Sequence, residues 1–144
     1  MNELDLAWAA GFLDGEGGFF IYKIRKRDKY DCVRGHLKVN QAVHRDPIDR
    51  LHDLFGGSVT ERRTRTVTGK RVYEWQMSRS ADLQASLPLV LPYMIVKRDQ
   101  AELLLKLSTY YKNGGRGGSP YREEREDIYR CFQETKARYH QVEQ

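Results

Sequence analysis

Between residues 33 and 43 the side chains alternate, and this alternation constrains the fold more than any other stretch. Val33, Leu37 and Val39 point one way; Arg34, His36, Lys38 and Asn40 point the other. Successive side chains reverse face only in an extended strand, so the segment has one dry face and one wet, basic face. Such a strand needs neighbours at its edges and helices over its dry side. Residues 19–26 are rich in strand formers and lead through a turn at Asp28 and Lys29 into it. Residues 58–66 and 71–78 read as a second hairpin around Thr68 and Gly69, with Tyr73, Trp75 and Met77 in the core. Arg62, Thr64, Glu74 and Gln76 then share its wet face.

Residues 4–14 read as a helix. At about 100° per residue, Leu6, Ala9, Phe12 and Leu13 share one face. Ala7, Ala10, Gly11 and Asp14 share the opposite face, whose small residues would let a second helix come close. Gly15, Gly17 and Gly18 are read as the stop. Asp46-Pro47 opens a second helix, which ends at Gly56-Gly57. Ser80-Ala81-Asp82 opens a third, interrupted near Pro88 and Pro92. Residues 93–111 read as one long helix, residues 113–119 as a Gly-rich linker, and residues 123–139 as a charged, amphipathic last helix. The order helix, two strands, helix, two strands, helices is α+β, with hairpins in place of βαβ crossovers. Residues 1–112 form the expected core; residues 113–144, the linker and last helix, pack on it or extend it.

A chain of 144 residues with 40% hydrophobic content can bury one core. No apolar run approaches the ~20 residues of a membrane span. Its opening Met-Asn-Glu-Leu-Asp is acidic and lacks an apolar signal core. The expectation is an intracellular protein with no membrane partner, in the cytoplasm of a bacterium or phage-infected cell or inside an organelle. Cys32 and Cys131 read as free thiols of a reducing compartment. Net charge is +5. Residues 19–45 hold eight Lys or Arg against two acids, and residues 59–79 six against two, which points to a basic patch fit for nucleic acid. His36, His44, His52 and His140 lack metal-ligand spacing, and no nucleophile elbow or phosphate-cradling loop occurs.

The run Ala9-Ala10-Gly11-Phe12-Leu13-Asp14-Gly15-Glu16-Gly17 resembles the LAGLIDADG motif, departing from it in the first residue. The homing endonucleases that carry this motif pair two such helices through their small-residue faces. The resemblance therefore implies a homodimer through Ala7, Ala10, Gly11 and Asp14, since the motif occurs once here. It also implies that Glu16 binds a catalytic metal, with Gly15 beside it. Chemistry supports this: displacement at a phosphodiester needs a metal to orient water and offset charge, and hard oxygen ligands suit Mg²⁺, with Mn²⁺ as a substitute. One carboxylate per chain supplies half a site.

Residues 92–101, Pro-Tyr-Met-Ile-Val-Lys-Arg-Asp-Gln-Ala, resemble the family's second signature and assign Lys97 to the cleavage site. Gln41 and Arg45 match its polar and basic active-site positions. The implied fold is the LAGLIDADG α-β-β-α-β-β-α fold, an antiparallel saddle with helices on one face. Its wet face would lie in the major groove of double-stranded DNA, at a long, nearly palindromic site. Candidates for DNA contact are Arg34, His36, Lys38, Asn40, Arg62, Thr64, Glu74 and Gln76. On the first strand, simple alternation turns Lys23, Arg25 and Arg27 outward; counting on from Glu16 without a gap gives the reverse. We favour the charged set, with a bulge near residues 19–22. The expected function is a metal-dependent endonuclease that leaves short 3′ overhangs. The alternative is a non-cleaving relative, an intron maturase or a DNA-binding regulator.

Overall fold

The structure is a computed structural model that describes residues 1–25, 31–64, 69–111 and 121–142. Arg27, the Asp28–Lys29 turn, Thr68 and the linker over 113–119 lie outside these residues.

Helix α1 spans Glu3–Glu16. The Asn2 side chain accepts from the Asp5 N–H at 2.9 Å, and the Asp5 carboxylate accepts from the Asn2 N–H at 3.2 Å. This reciprocal capping satisfies two amides at the helix start. Gly15 does not end the helix, which runs through Glu16 to a cap at Gly17. A Cβ on Gly17 would lie 2.6 Å from the Leu13 carbonyl oxygen, so the turn into the sheet is closed to any larger residue. Strand β1 (Gly17–Arg25) follows directly, then β2 (Asp31–Ala42), helix α2 (Asp46–Phe55), β3 (Ser58–Arg63) and β4 (Arg71–Met77). The four strands form one antiparallel sheet in the order β1-β2-β4-β3. Helices α3 (Ser80–Val90), α4 (Arg98–Ser108) and α5 (Arg122–Val142) complete the chain. Among the described residues no helix is long and apolar enough to cross a membrane.

The long helix expected over residues 93–111 is broken. A 3-10 turn occupies Leu91–Tyr93, residues 94–97 leave the helical path, and α4 begins at Arg98. Pro92 has no N–H to donate, and the amides of residues 95–97 are taken by a side chain described below. Pro88, by contrast, is accommodated inside α3.

The first strand also differs from the favoured reading. Pairing with β2 runs unbroken from Gly17↔Val39 to Arg25↔Asp31, so no bulge resets its parity. Phe19 and Ile21 face the helices and are buried. Lys23 follows them and pairs with Glu126 of α5 at 2.6 Å; Arg25 has the same parity. Phe20, Tyr22 and Ile24 therefore occupy the open face, the arrangement given by counting on from Glu16.

All helices lie on the other face. There Phe19, Ile21, Val33, Leu37, Val39, Trp75 and Met77 meet Leu13 of α1, Ile48 and Leu51 of α2, Leu83 and Leu87 of α3, and Leu104 and Leu107 of α4. Ala10, expected on the outer face of α1, is fully buried in this core beside Ala9. Gly35 admits α4: a Cβ there would lie 2.5 Å from a Leu104 methyl. Ile128 and Phe132 of α5 join the same core, so the last helix packs on the domain.

Candidate functional site

The end of α1 and the start of α4 are far apart in sequence and joined by one carboxylate. Asp14 accepts from the backbone N–H groups of Ile95 at 2.8 Å, Val96 at 3.1 Å and Lys97 at 3.0 Å. Three successive amides converging on one anion form a nest. The nest fixes residues 95–97 against α1 and leaves Lys97 as the residue preceding α4. Its Nζ then donates to the Gly17 carbonyl oxygen at 2.6 Å. Burial lowers the Lys97 pKa below the ordinary lysine value, while the charges of Asp14 and Glu16 oppose the shift. Lys97 thus stands beside the Glu16–Gly17 junction.

Glu16 is exposed and makes no hydrogen bond or ion pair among the described residues. It lies at the carbonyl end of α1, where the helix dipole is negative. Asp14 is fully engaged, which leaves Glu16 as the available carboxylate. Among the described residues no three His, Cys, Asp or Glu side chains are grouped to hold a metal ion. A single chain offers Glu16 and backbone oxygen such as that of Gly15, a partial set for a hard cation. The donors fit Mg²⁺ in kind and fall short in number, as half of a shared site would.

Gln41 lies two residues past Val39, the partner of Gly17, on the helix-facing side of β2 and beside this junction. Arg45 is directed elsewhere. Its guanidinium pairs with Asp49 at 3.1 Å and Glu61 at 3.6 Å and lies 5.6 Å from the centre of the Tyr73 ring. It makes no contact with Glu16 or Lys97 among the described residues. Asp14, read from the sequence both as a structural residue near the helix end and as part of a dimer face, holds the nest within its own chain. Ala7, Gly11 and Gly15 remain exposed along α1, and a Cβ on Gly11 would meet nothing within 4 Å.

The strand register sets the open face. Lys38 pairs across to Gln76, and Asn40 to Glu74; Thr60 and Arg62 continue the face on β3. Arg34 and His36 lie on it beside Tyr22 and Phe20. The Lys38 ammonium and the Glu74 carboxylate are 2.8 Å apart, and Thr60 Oγ1 donates to Glu74 at 3.4 Å. Thr64 lies just beyond β3 and donates both N–H and hydroxyl to the Lys70 carbonyl. The His36 ring packs between Phe20, at 4.9 Å, and Tyr22, at 5.5 Å. Burial lowers its pKa and Lys38 adds to the shift, against Glu74. Sequence reasoning placed the β2, β3 and β4 residues and missed Phe20, Tyr22 and Ile24, whose signal was the uninterrupted count from Glu16.

Sheet order, register and helices on one face define the LAGLIDADG homing-endonuclease fold. No protein-family model matches the chain. It is 32% identical over 111 residues to the DNA endonuclease I-CvuI of Chlorella vulgaris, over 74% of this chain. The chain spans 65% of that protein's length. The crystal structure of I-CvuI with a DNA target and Mg superposes with a TM-score of 0.62 at 28% identity, over 74% of this chain and 67% of that one. The archaeal intron-encoded homing endonuclease I-Vdi141I, complexed with DNA, shares the fold at 18% identity and a TM-score of 0.59, over 74% of this chain and 68% of that one. In sequence and fold the chain is similar to the LAGLIDADG homing endonucleases, and its length fits their single-motif form.

Proposed function

We propose that the protein is a site-specific endonuclease of double-stranded DNA that acts as a symmetric homodimer with divalent metal. One observation carries this reading: Asp14 brings Lys97 to the end of α1 beside Glu16, across more than eighty residues of sequence. A module that only bound DNA would need the basic sheet and not this junction.

Two copies related by a twofold axis through the exposed Ala7–Gly11 strip would set two Glu16 carboxylates side by side. Leu4, Ile95 and Val96 are 79%, 85% and 55% exposed beside that strip, apolar surface that a second copy would cover. Mg²⁺ held between the Glu16 carboxylates and backbone oxygens would orient water and offset phosphate charge, with Mn²⁺ as a substitute. Lys97 stands beside that position, where a protonated amine can stabilise charge developing on the phosphate. Gln41 can orient water or phosphate by hydrogen bonding. Arg34, His36, Lys38, Asn40, Arg62 and Gln76 would meet the groove and backbone of a long, nearly palindromic site, cut to leave short 3′ overhangs.

The test is incubation of the protein with a random duplex library and Mg²⁺, followed by sequencing of cut ends. Glu16→Gln is expected to bind the selected site at least as tightly as wild type and to cut it at least ~100-fold more slowly, on the scale of losing one catalytic electrostatic group. Lys97→Met should slow cutting less. Tight, specific binding without cutting in Mg²⁺ or Mn²⁺ would replace this reading with that of a regulator or maturase.

A further inference from the structure

The open face is not uniformly basic. Its outermost strand presents Phe20, Tyr22 and Ile24, which are 37%, 39% and 41% exposed. His36 packs between the two aromatic rings and is held toward its neutral form by burial. Lys136 stands 4.9 Å from the centre of the Phe20 ring, at the rim. Lys38, paired with Glu74, lies beside this patch on β2, and Arg62 lies farther across the face on β3, so the patch borders polar and charged side chains.

We propose that Phe20, Tyr22 and Ile24, with His36, form a specificity patch that reads thymine through its 5-methyl group. The inference rests on the DNA-binding reading above. The Phe20 and Ile24 side chains and the Tyr22 ring gain nothing from a phosphate and cannot pair with the donor and acceptor edges of bases, which leaves the Tyr22 hydroxyl as the row's one polar group. The apolar feature that the major groove displays is the thymine methyl. Neutral His36 contributes one donor or one acceptor, so it can bond a base edge without competing for the backbone charge.

The patch has a definite place along the site. Phe20 and Ile24 lie four and eight residues beyond Glu16, or ~13 to ~27 Å along an extended strand. The thymines should therefore lie, in each half-site, some four to eight base pairs from the centre of the whole site, at about 3.4 Å per step.

The experiment uses the full chain and two pools of random duplexes, one synthesised with thymine and one with deoxyuridine, which lacks only the methyl. In the first pool thymine should be enriched at one or two positions in that interval. Deoxyuridine at those positions should weaken binding about fourfold per position, the scale of one buried methyl. Tyr22→Ser and Phe20→Ser should bind both duplexes alike and keep the wild-type salt dependence. Equal selection from the two pools, or a selected site with no thymine preference in the interval, overturns the proposal even though DNA is bound. Binding to neither pool overturns the DNA-binding reading and this inference with it. The pools need no protein variant, so the comparison decides even if a serine variant fails to fold.

Discussion

Asp14 is the residue on which the candidate site depends most directly. Hydrogen bonds to a charged group contribute ~1.5–3 kcal/mol each, less where solvent shares the site, and Asp14 makes three to backbone amides. Asp14→Asn keeps an acceptor oxygen but loses the charge. It should lower unfolding free energy by ~1–3 kcal/mol in urea titration and slow cutting as Lys97 drifts from Gly17. Lys97→Met should slow cutting with a smaller loss of stability, so the two variants separate the nest from the amine. His36 gives a pH signature. Its folded pKa is lowered, first by burial and then by Lys38, so the unfolded chain binds the proton more readily. Stability is therefore expected to fall as pH drops through and below 6.5, the ordinary value, and His36→Gln should flatten that fall. Urea midpoints at pH 7.5 and pH 5.5 check the sign; a His36→Gln curve parallel to wild type would reject it. That Lys97 comes to the end of α1 was legible, because both segments resemble signature motifs of one family. Arg45 was not, because its partners Asp49 and Glu61 lie on α2 and β3, and no local pattern reveals a competing ion pair.

At the scale of elements, periodicity served well wherever one face was plainly wet. The alternation in β2 and β4 appears in the structure residue for residue, because each strand has a buried row opposite a polar row. In β1 both rows contain apolar side chains, so composition favoured turning the lysine and arginine outward. The continuous register and α5 decide otherwise, since Glu126 and Tyr129 of that helix receive Lys23. The break before α4 was hidden for a related reason: its cause is a carboxylate some eighty residues upstream. The turn out of β2 holds a strained element. Val43 has φ 71°, and the His44 N–H donates to the Ala42 carbonyl at 2.8 Å, closing a γ-turn on a β-branched residue. Val43→Gly should raise stability by ~1 kcal/mol, the low end of the cost of such a conformation. Thermal unfolding of the two proteins measures it; an unchanged or lower midpoint would mean that the exposed Val43 side chain contributes more than its backbone costs.

For the whole molecule, the question is what covers the outer side of α1. Ala10 turned out to belong to the core, which narrows the exposed strip to Leu4, Ala7, Gly11 and Gly15. Helical periodicity alone could not separate these, because α1 buries small residues on one side and exposes small residues on the other. Gly11→Val has open space within its own chain, and valine costs no more than the glycine it replaces in helix propensity. Monomer folding should therefore be nearly untouched, while dimer mass by light scattering and cutting should both decline. A monomeric wild type at micromolar concentration that still cuts DNA would remove the twofold site.

The joint between Asp14 and residues 95–97 also bears on how the protein comes together in time. The β1–β2 hairpin closes between near neighbours, but this joint closes a loop of 81 to 83 residues and pays its entropy late. Local opening there would free Lys97 while the sheet stayed paired, giving a species that grips DNA and leaves it whole. Hydrogen exchange at the amides of Ile95, Val96 and Lys97 would then track the fraction of molecules competent to cut, independently of the fraction folded.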